Sequence, residues 1–162
     1  MPGMSPPEPR SAPEFFYRFE ADLQVSPIGL TPEGLRFVSA FEGTIREGFM
    51  QGARVWGIDQ YLLRSDGVGI LDAPKTLSLG DTHLLEYVRG YCLPPKGLAL
   101  PPLAKLLEPD FEWPDLDFPL HGFSLFRAGA SLQRLNRALG QIEGWANYRA
   151  GTLDVTTYLL AP

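Results

Sequence analysis

Alternation between apolar and polar residues is the feature that most constrains how this chain folds. From Phe15 to Val25 every odd-numbered residue is apolar or aromatic, and from Arg18 onwards the even-numbered residues are charged or polar. Successive side chains of a β-strand point to opposite faces, so this period of two predicts a strand with one buried face. The run from Leu35 to Ile45 alternates similarly, and Gly43 within it indicates a bulge or a sharp bend. We therefore expect the odd-numbered apolar residues of both runs to be buried.

The rest of the chain contains further short strand-like runs bounded by turn-forming residues. They read ARVWGIDQYLLRSDG, VGILDAPKTLSL, THLLEYVRGYCL, HGFSLFRAG and GTLDVTTYLL, and IEGWANY is a candidate for one more. Several short strands at regular spacing predict an antiparallel sandwich or barrel, whereas a parallel α/β fold needs strands that alternate with helices. The sequence therefore predicts an all-β protein.

Two segments depart from the strand pattern. Residues 93–118 are rich in proline and acidic residues but retain Leu, Phe and Trp side chains, so we expect them to cover an opening of the fold. Within them, a short helix is predicted over Leu103–Glu108, after two prolines that suit a first helical turn. Helical spacing also runs from Leu132 to Leu139, with Ser131 as a candidate N-cap and Gly140 at C′.

The composition is typical of one globular domain. Hydrophobic residues make up 44% of the chain and charged residues 20%, and the net charge of −5 gives no electrostatic reason to bind nucleic acid or an anionic membrane. Residues 1–13 are proline-rich and lack the basic-then-apolar order of a secretory signal. We expect a flexible tail there and one domain over residues 14–162. A single cysteine excludes an internal disulfide and favours a cytoplasmic location.

Motifs for cofactor and metal chemistry are missing from the sequence. It has no glycine-rich phosphate loop and no Gly-x-Ser-x-Gly nucleophile elbow. His83 and His121 are far apart and lack the paired spacing of metal ligands. A lone strand cysteine such as Cys92 is usually a small buried apolar residue. We therefore predict neither a metal nor a cofactor.

The pair Asp66-Gly67 lies between two apolar runs and predicts a β-hairpin with a type I′ turn, which needs positive φ at both central residues. This turn does not account for two charges that flank it, Arg64 and Asp72. Either both lie on the solvent face of a two-stranded ribbon, or they face a pocket.

Three segments occur in a recognisable order: IGLTPEGLRFVSAFEGTI, GARVWGIDQYLLRSDGVGILDAPKTLSLGDTHLLEYVRGY and the late FRAGASLQRLN. In this order they resemble the DUF3237 family, also called UPF0311, small bacterial and fungal proteins of unassigned function. The family signature is a Gly-x-Asp-(Trp/Gln) step, an Arg-x-Asp-Gly turn and a later Asp. The matching residues are Gly57, Asp59, Gln60, Arg64, Asp66, Gly67 and Asp72, followed by Phe126, Arg127, Leu135 and Asn136. The resemblance extends from Phe15 to Leu160, with residues 93–118 as an expansion.

The resemblance implies an antiparallel, closed or nearly closed β-barrel with a small interior, a short helix and a long Pro-rich loop. This chain departs from the family at the glycine-rich stretch, where it has Glu42-Gly43-Thr44, and at Gln60, where a Trp is common. If those positions bind a common ligand in the family, this chain is expected to bind a different one.

In such a barrel, alternation groups Arg64 with Leu62 and Asp72 with Ile70, and we expect at least one of the two charges to point into the cavity. Burying a charge beside apolar residues is costly unless it is paired or serves a ligand. The first hypothesis is an enzyme on a small organic molecule, such as an isomerase, cyclase or lyase, with a cavity carboxylate and an arginine. Its catalytic candidates are Asp59, Arg64, Asp72 and Glu86, and its ligand-binding candidates are Trp56, Gln60, Tyr87, Arg89, Tyr91, Arg127 and Asn136.

Two alternatives remain open from the sequence. One is a non-catalytic carrier for an apolar or aromatic small molecule, and the other is a structural barrel whose aromatic residues only fill the core. The partner expected under the first two hypotheses is a small organic ligand, and a homodimer is a further expectation. Nucleic acid and membranes are not expected partners.

Overall fold

The described part of the chain folds into an eight-stranded antiparallel barrel with two short helices and one long connection. The computed structural model describes residues 12–160, so residues 1–11 of the expected tail lie outside the described residues. The strands are β1 (Glu14–Thr31), β2 (Gly34–Gly48), β3 (Arg54–Leu63), β4 (Gly69–Leu79), β5 (Thr82–Cys92), β6 (Phe118–Ala128), β7 (Leu139–Asn147) and β8 (Thr152–Leu160). Each strand pairs with the next, and β8 pairs with β1 to close the barrel. The predicted all-β closed barrel is confirmed.

Because the strands alternate in direction, the connections fall into two groups at opposite ends of the barrel. The β1–β2, β3–β4 and β7–β8 turns lie at the same end as the long connection between β5 and β6. We call this the long-loop end. The opposite end carries the β2–β3 and β4–β5 turns, the β6–β7 connection and the start of β1.

The predicted alternation holds along β1 except at its start, although Leu23 and Val25 are half-buried rather than buried. Tyr17, Phe19 and Ala21 are buried, but Phe15 is 46% exposed and Phe16 is buried in its place. The pairing of β1 with β8 shifts between Phe15 and Tyr17, which indicates a β-bulge at this point. The extra residue reverses the faces, so the expectation that Phe15 is buried is wrong.

Strand β2 places its predicted residues in the core, but its irregularity lies elsewhere than expected. The register with β1 shifts around Arg46, while Gly43 pairs regularly with Ala21. A Cβ atom at Gly43 would lie 1.9 Å from the Glu20 carbonyl oxygen. The glycine is therefore needed for a close backbone approach rather than for a bulge.

The β3–β4 turn differs from the predicted type. Gly67 has a φ of 85° and is the turn's residue with positive φ. The Gly67 N–H donates to the Arg64 carbonyl at 3.0 Å, and the Arg64 N–H donates to the Val68 carbonyl at 3.0 Å. This is a three-residue loop with a terminal left-handed glycine, so the type I′ prediction is wrong. The Asp66 carboxylate stabilises the loop by accepting the Val68 N–H at 3.1 Å.

Two short 3₁₀-helices interrupt the strands. The first, Leu103–Leu107, lies within the helix predicted in the Pro-rich segment. The second, Ala130–Arg137, begins before Ser131, which therefore does not cap it, and Gly140 lies in β7 rather than at a helix end. Strand pairing of β7 with β6 and β8 thus overrides the predicted C′ glycine. Neither of these helices, which belong to the described part of the chain, has the length and apolarity to cross a membrane.

The Pro-rich connection packs against the barrel at the long-loop end. Leu106 is buried, and the ring centroid of Trp113 lies 4.9 Å from that of Tyr148 and 6.2 Å from that of Phe37. Phe118, the first residue of β6, packs edge-on against Trp113. This aromatic cluster joins the connection to the starts of β2 and β6 and to the β7–β8 turn.

The close approach at Gly43 leads to a prediction about stability. We expect Gly43→Ala to lower the free energy of unfolding by about 3 kcal/mol, because the new methyl group overlaps backbone atoms of β1 that cannot rotate away. Urea denaturation measures this change. Gly129→Ala is the matched control, since an added Cβ there meets no atom within 4 Å, and it should change stability by less than about 0.5 kcal/mol. Equal effects of the two substitutions would contradict the explanation.

Candidate functional site

The barrel encloses a cavity between its centre and the long-loop end. The cavity volume that the centres of water molecules can occupy is about 60 Å³. One water molecule needs roughly 10–15 Å³ of such volume. The space therefore suits several waters or a small organic group. The wall consists of Phe19, Leu23, Ser39, Phe41, Asp59, Tyr61, Leu71, Ala73, Lys75, Val88, Leu120, Ile142, Ala146, Tyr148, Leu153 and Val155. Most of these side chains are aliphatic or aromatic, and the two charged ones are Asp59 and Lys75.

Asp59 supplies the carboxyl group of the cavity wall. It lies on the inner face of β3 and is 8% exposed. Its Oδ1 atom accepts the backbone N–H of Asp72 at 2.8 Å, and among residues 12–160 its Oδ2 atom has no hydrogen-bond partner. Burial raises the pKa of Asp59 to about 7, with a smaller contribution from the Asp72 charge, while the Asp72 N–H acts in the opposite direction. The carboxyl group of Asp59 therefore gains and loses its proton near neutral pH.

A local interruption of the β3–β4 ladder explains how Asp59 obtains that hydrogen bond. The paired residues stop at Gly57 with Lys75 and resume at Leu62 with Ile70. Pro74 lies in the intervening stretch and has no N–H to donate across the ladder. The Asp72 N–H turns to the Asp59 side chain instead of a β3 carbonyl. The interruption thus holds one carboxylate oxygen in place.

Lys75 belongs to a buried polar cluster with Glu86 and Tyr17. Its Nζ atom lies 3.4 Å from Glu86 Oε2, and the Tyr17 hydroxyl donates to the same oxygen. Lys75 is 4% exposed, and Glu86 and Tyr17 are fully buried. The ammonium also lies 4.7 Å from the ring centroid of Phe19, which provides a cation–π contact. Burial lowers the pKa of Lys75, and the charge of Glu86 partly opposes that shift.

Glu86 retains one uncommitted oxygen in this cluster. Its Oε1 atom is buried without a hydrogen-bond partner among the described residues, as are Ser124 Oγ and Thr157 Oγ1. Buried polar groups are normally satisfied by protein or by internal water. The cluster therefore has unused hydrogen-bonding capacity in the barrel interior.

Aromatic hydroxyl groups border the cavity near the long-loop end. The Tyr148 hydroxyl lies 3.2 Å from the sulfur of Cys92, and the rings of Tyr61 and Tyr148 are 6.2 Å apart. Burial is the main cause that raises the pKa of both tyrosines and of Cys92. These groups are neutral at physiological pH and act as hydrogen-bonding groups rather than as charges.

The structure places Arg64 and Asp72 on the outside of the barrel. Arg64 pairs with Asp66 in the β3–β4 turn, and Asp72 pairs with Arg89 on the outer face at 3.6 Å. The side chains of Arg64 and Asp72 are each 46% exposed. The expectation that one of them points into the cavity is wrong, because alternation turns the odd-numbered residues of β3 and β4 inward and the even-numbered ones outward.

Most of the other predicted ligand-binding residues lie on the outer surface and do not contribute to the described cavity wall. They are Trp56 and Gln60 on β3, Tyr87, Arg89 and Tyr91 on β5, and Arg127 on β6. Trp56 stacks under the Arg54 guanidinium at 4.3 Å. Asn136 bonds to both backbone groups of Ala128 and so anchors the second 3₁₀-helix to β6.

Of the predicted catalytic residues, the structure brings Asp59 and Glu86 into the interior. Sequence reasoning missed Lys75, Ser39, Tyr61 and Tyr148. A signal for Lys75 was present, since it shares the odd-numbered face of β4 with Leu71, Ala73 and Leu77. Tyr148 is the last residue of the candidate strand IEGWANY, but β7 ends at Asn147 and Tyr148 lies in the β7–β8 turn. Its position in the cavity wall therefore followed only from the fold.

Comparison with known proteins identifies the fold. No protein-family model matches the chain, and no curated protein matches it. A solved protein of unknown function from Clostridium acetobutylicum is similar in structure, with a TM-score of 0.73, 14% identity, and coverage of 93% of this chain and 100% of that one. A conserved protein of unknown function from Rhodopseudomonas palustris has a TM-score of 0.68, 17% identity, and coverage of 94% and 99%. At these identities the similarity establishes a shared barrel.

Residues 12–160 also contain no group of three or more His, Cys, Asp or Glu side chains arranged to hold a metal ion. A carboxyl group that titrates near neutrality, a buried amine and neutral hydroxyls can together bind a small molecule and move protons.

The raised pKa of Asp59 leads to a prediction about pH and stability. Its pKa is about 7 when folded against an ordinary value of 3.8. The folded state then holds the proton more tightly than the unfolded state, so this group's contribution to stability falls as pH rises from about 4 to about 7. An asparagine side chain cannot ionise, so the Asp59→Asn variant does not lose this stability as pH rises. The difference in free energy of unfolding between the variant and the parent protein should therefore grow with pH, by roughly 4 kcal/mol above pH 7. Urea denaturation across pH measures the difference.

Asp81→Asn serves as the control, because Asp81 is exposed in the β4–β5 turn. It should give a small difference that does not follow the same pH course. A pH-independent effect of Asp59→Asn would show that the Asp59 carboxyl does not titrate as inferred.

Proposed function

We propose that this barrel binds a small, mostly apolar organic molecule and moves a proton on it, as an isomerase, cyclase or lyase does. The observation that carries the proposal is Asp59, a buried carboxyl group with one oxygen fixed by the Asp72 N–H and a pKa of about 7 in a largely apolar cavity. A general base or acid works best when its pKa lies near the operating pH. Asp59 meets this requirement without a metal.

The cavity wall defines the kind of molecule that fits. Aliphatic and aromatic side chains surround most of the space, so the ligand has an apolar body. The Oδ2 atom of Asp59 is available to one polar group, such as a ketone, an enol or a phenol. Arginine was the expected stabilising cation, but in the described cavity wall the cationic side chain is Lys75.

We also propose that the chain belongs to the DUF3237 family. Part of the signature that carries the resemblance lies on β3, on β4 or in the turn between them, and there it has a physical role next to Asp59. A Cβ at Gly57 would lie 2.4 Å from the Pro74 carbonyl oxygen, Asp72 donates its N–H to Asp59, and Asp66-Gly67 form the turn that joins the two strands. The signature therefore includes the carboxyl group of Asp59 and the residues that hold it in place, and this supports membership of the DUF3237 family.

A carrier without catalysis is the second candidate function. The predominance of apolar side chains in the wall favours it, since such a cavity binds an apolar molecule through burial alone. Asp59 would then act in its protonated form as a hydrogen-bond donor. The two functions differ in whether bound ligand exchanges protons with solvent.

Hydrogen–deuterium exchange distinguishes the two functions. Cyclohex-2-enone and a panel of small cyclic ketones are incubated with the protein in D₂O, and exchange of their acidic C–H protons is followed by NMR. We expect the parent protein to accelerate exchange and Asp59→Asn to reduce the acceleration by about 100-fold or more, the usual contribution of a general base. Asp81→Asn should keep the parent rate.

Calorimetry in parallel measures whether each ketone binds, so that a lack of faster exchange can be interpreted. Ketones that bind without faster exchange would reject the enzyme and favour the carrier. A panel that neither binds nor exchanges would count against both functions.

A further inference from the structure

We propose that Lys75 is a nucleophile that forms an imine with an aldehyde or ketone bound in the cavity. This inference rests on the proposed function, since it needs a small molecule to enter the barrel, and it adds the chemical class of that molecule. It assigns a catalytic role to a residue that no sequence motif indicates.

The position of Lys75 is the first argument. Its side chain lines the same cavity as Asp59, and its register partner on β3 is Gly57, two positions from Asp59. A Cβ atom at Gly57 would lie 2.4 Å from the Pro74 carbonyl oxygen, 2.6 Å from the Phe41 ring and 3.0 Å from the Lys75 Cβ. Glycine at this position therefore allows β3 to pack closely against the base of the Lys75 side chain.

The surroundings of Lys75 favour a neutral amine, the form that attacks a carbonyl group. Its ammonium would be enclosed by the rings of Phe19 and Tyr17, at 4.7 and 5.3 Å, with one carboxyl group as partner. The main effect of this burial is to lower the pKa of Lys75. Lysines enclosed by apolar groups are those that proteins use to form imines.

Glu86 supplies the partner that such a reaction needs. Its Oε2 atom lies 3.4 Å from Nζ, so it is placed to accept the ammonium proton. Its Oε1 atom has no partner among the described residues. A purely structural ion pair would be expected to use both oxygens in hydrogen bonds, because an unsatisfied buried oxygen is costly.

The step balances without a redox partner. The Lys75 nitrogen attacks the carbonyl carbon, and the carbonyl π electrons move to oxygen, which takes up a proton. The nitrogen loses its two protons, the carbon–oxygen bond breaks, and one water leaves as the carbon–nitrogen double bond forms. Glu86 accepts a proton from nitrogen, and protonated Asp59 is the cavity acid available to the departing oxygen.

Reductive trapping tests the proposal within one molecule. The chain has three lysines, Lys75, Lys96 and Lys105, and the last two are exposed internal controls. The folded protein is treated at pH 7 with benzaldehyde and sodium cyanoborohydride, and benzylated lysines are quantified by peptide mapping. We expect Lys75 to be modified at least tenfold faster than either control, and the modification to slow when benzyl alcohol occupies the cavity.

Binding of benzyl alcohol, which has no carbonyl group, separates the possible failures. If it binds in the cavity but Lys75 is modified no faster than Lys96 and Lys105, the imine proposal is overturned and the proposed function stands. If it does not bind and Lys75 is not modified, small-molecule binding fails along with the imine. The comparison needs no variant, so it does not depend on a substituted protein that might misfold.

A different observation, on the outer surface, supports a second proposal. One exposed apolar residue from each of five neighbouring strands lies in a row across the barrel, which we call the apolar band: Ile58, Pro74, Tyr87, Leu125 and Leu139. Successive members are register partners from Pro74 through Tyr87 and Leu125 to Leu139. Leu85 and Phe123 lie beside the band, and Phe123 is 57% exposed.

We infer that the apolar band is the interface with a second copy of this chain. Six of these seven side chains are 40–57% exposed. For side chains of this size, that fraction corresponds to roughly 100 Å² of accessible surface each, or about 600 Å² of apolar surface together. That approaches the roughly 800 Å² that each partner buries in a standard interface and is at the upper limit for a patch on a monomer. The five residues of the band carry no charge, and Asp72, Arg89 and Arg127 border them on the outer face, which is the arrangement of an apolar centre with a polar rim. A two-fold axis through the band would pair it with itself.

Analytical ultracentrifugation of the full chain tests this inference. We expect the parent protein to sediment as a dimer at micromolar concentration and Leu125→Arg to sediment as a monomer. Ile28→Arg is the matched control, since Ile28 is 67% exposed in β1, outside the band, and it should remain dimeric. A monomeric parent protein at 100 μM (roughly the weak end of specific interfaces) or a Leu125→Arg dimer would overturn the inference.

Discussion

Pairing of β8 with β1 closes the barrel, and the properties of the interior depend on that closure. Once the ladder is continuous, every inward side chain of the eight strands faces one enclosed space. The ends of the barrel are the remaining routes for water, and the aromatic cluster around Trp113 packs at one of them. A polar group on an inner face therefore loses its hydration and must find partners within the protein.

The interior polar groups respond to this constraint in two ways. Lys75 and Tyr17 both contact Glu86 Oε2 across three strands, which offsets part of the desolvation, while Glu86 Oε1 is left without a partner among the described residues. Asp59 has no cationic partner within the described chain, and it keeps one backbone donor. Desolvation then acts on its ionised form with little compensation, and this is the physical origin of its raised pKa.

An isolated buried carboxyl group lowers stability at neutral pH, and a structural role does not require it. Asparagine would accept the same Asp72 N–H without the cost of ionisation. The Pro74 interruption has the same character, because it removes ladder bonding where the strand could have been regular. Both features lie at the cavity wall, and function is the context in which such local costs are retained. The outer arginines and tyrosines belong to a different surface, on which Tyr87 is part of the apolar band.

The alternating pattern was enough to predict the all-β class and the buried face of most strands, because a period of two records which side of a strand meets the core. It also indicated Asp59 and Glu86, although it did not separate them from charged neighbours on the outer face. The failures were local: one bulge at Phe16 reversed the face of Phe15, and a resemblance to a family signature favoured Arg64 and Asp72 over their inward neighbours. Which inward residues meet across the interior followed from the three-dimensional arrangement of the strands. Lys75 and Glu86 pair within the β4–β5 hairpin, whose register its short turn sets. Tyr17 and Glu86 are 69 residues apart on strands that do not pair, and they meet because closure of the barrel, which has no local signal in the chain, brings β1 and β5 to opposite sides of one interior.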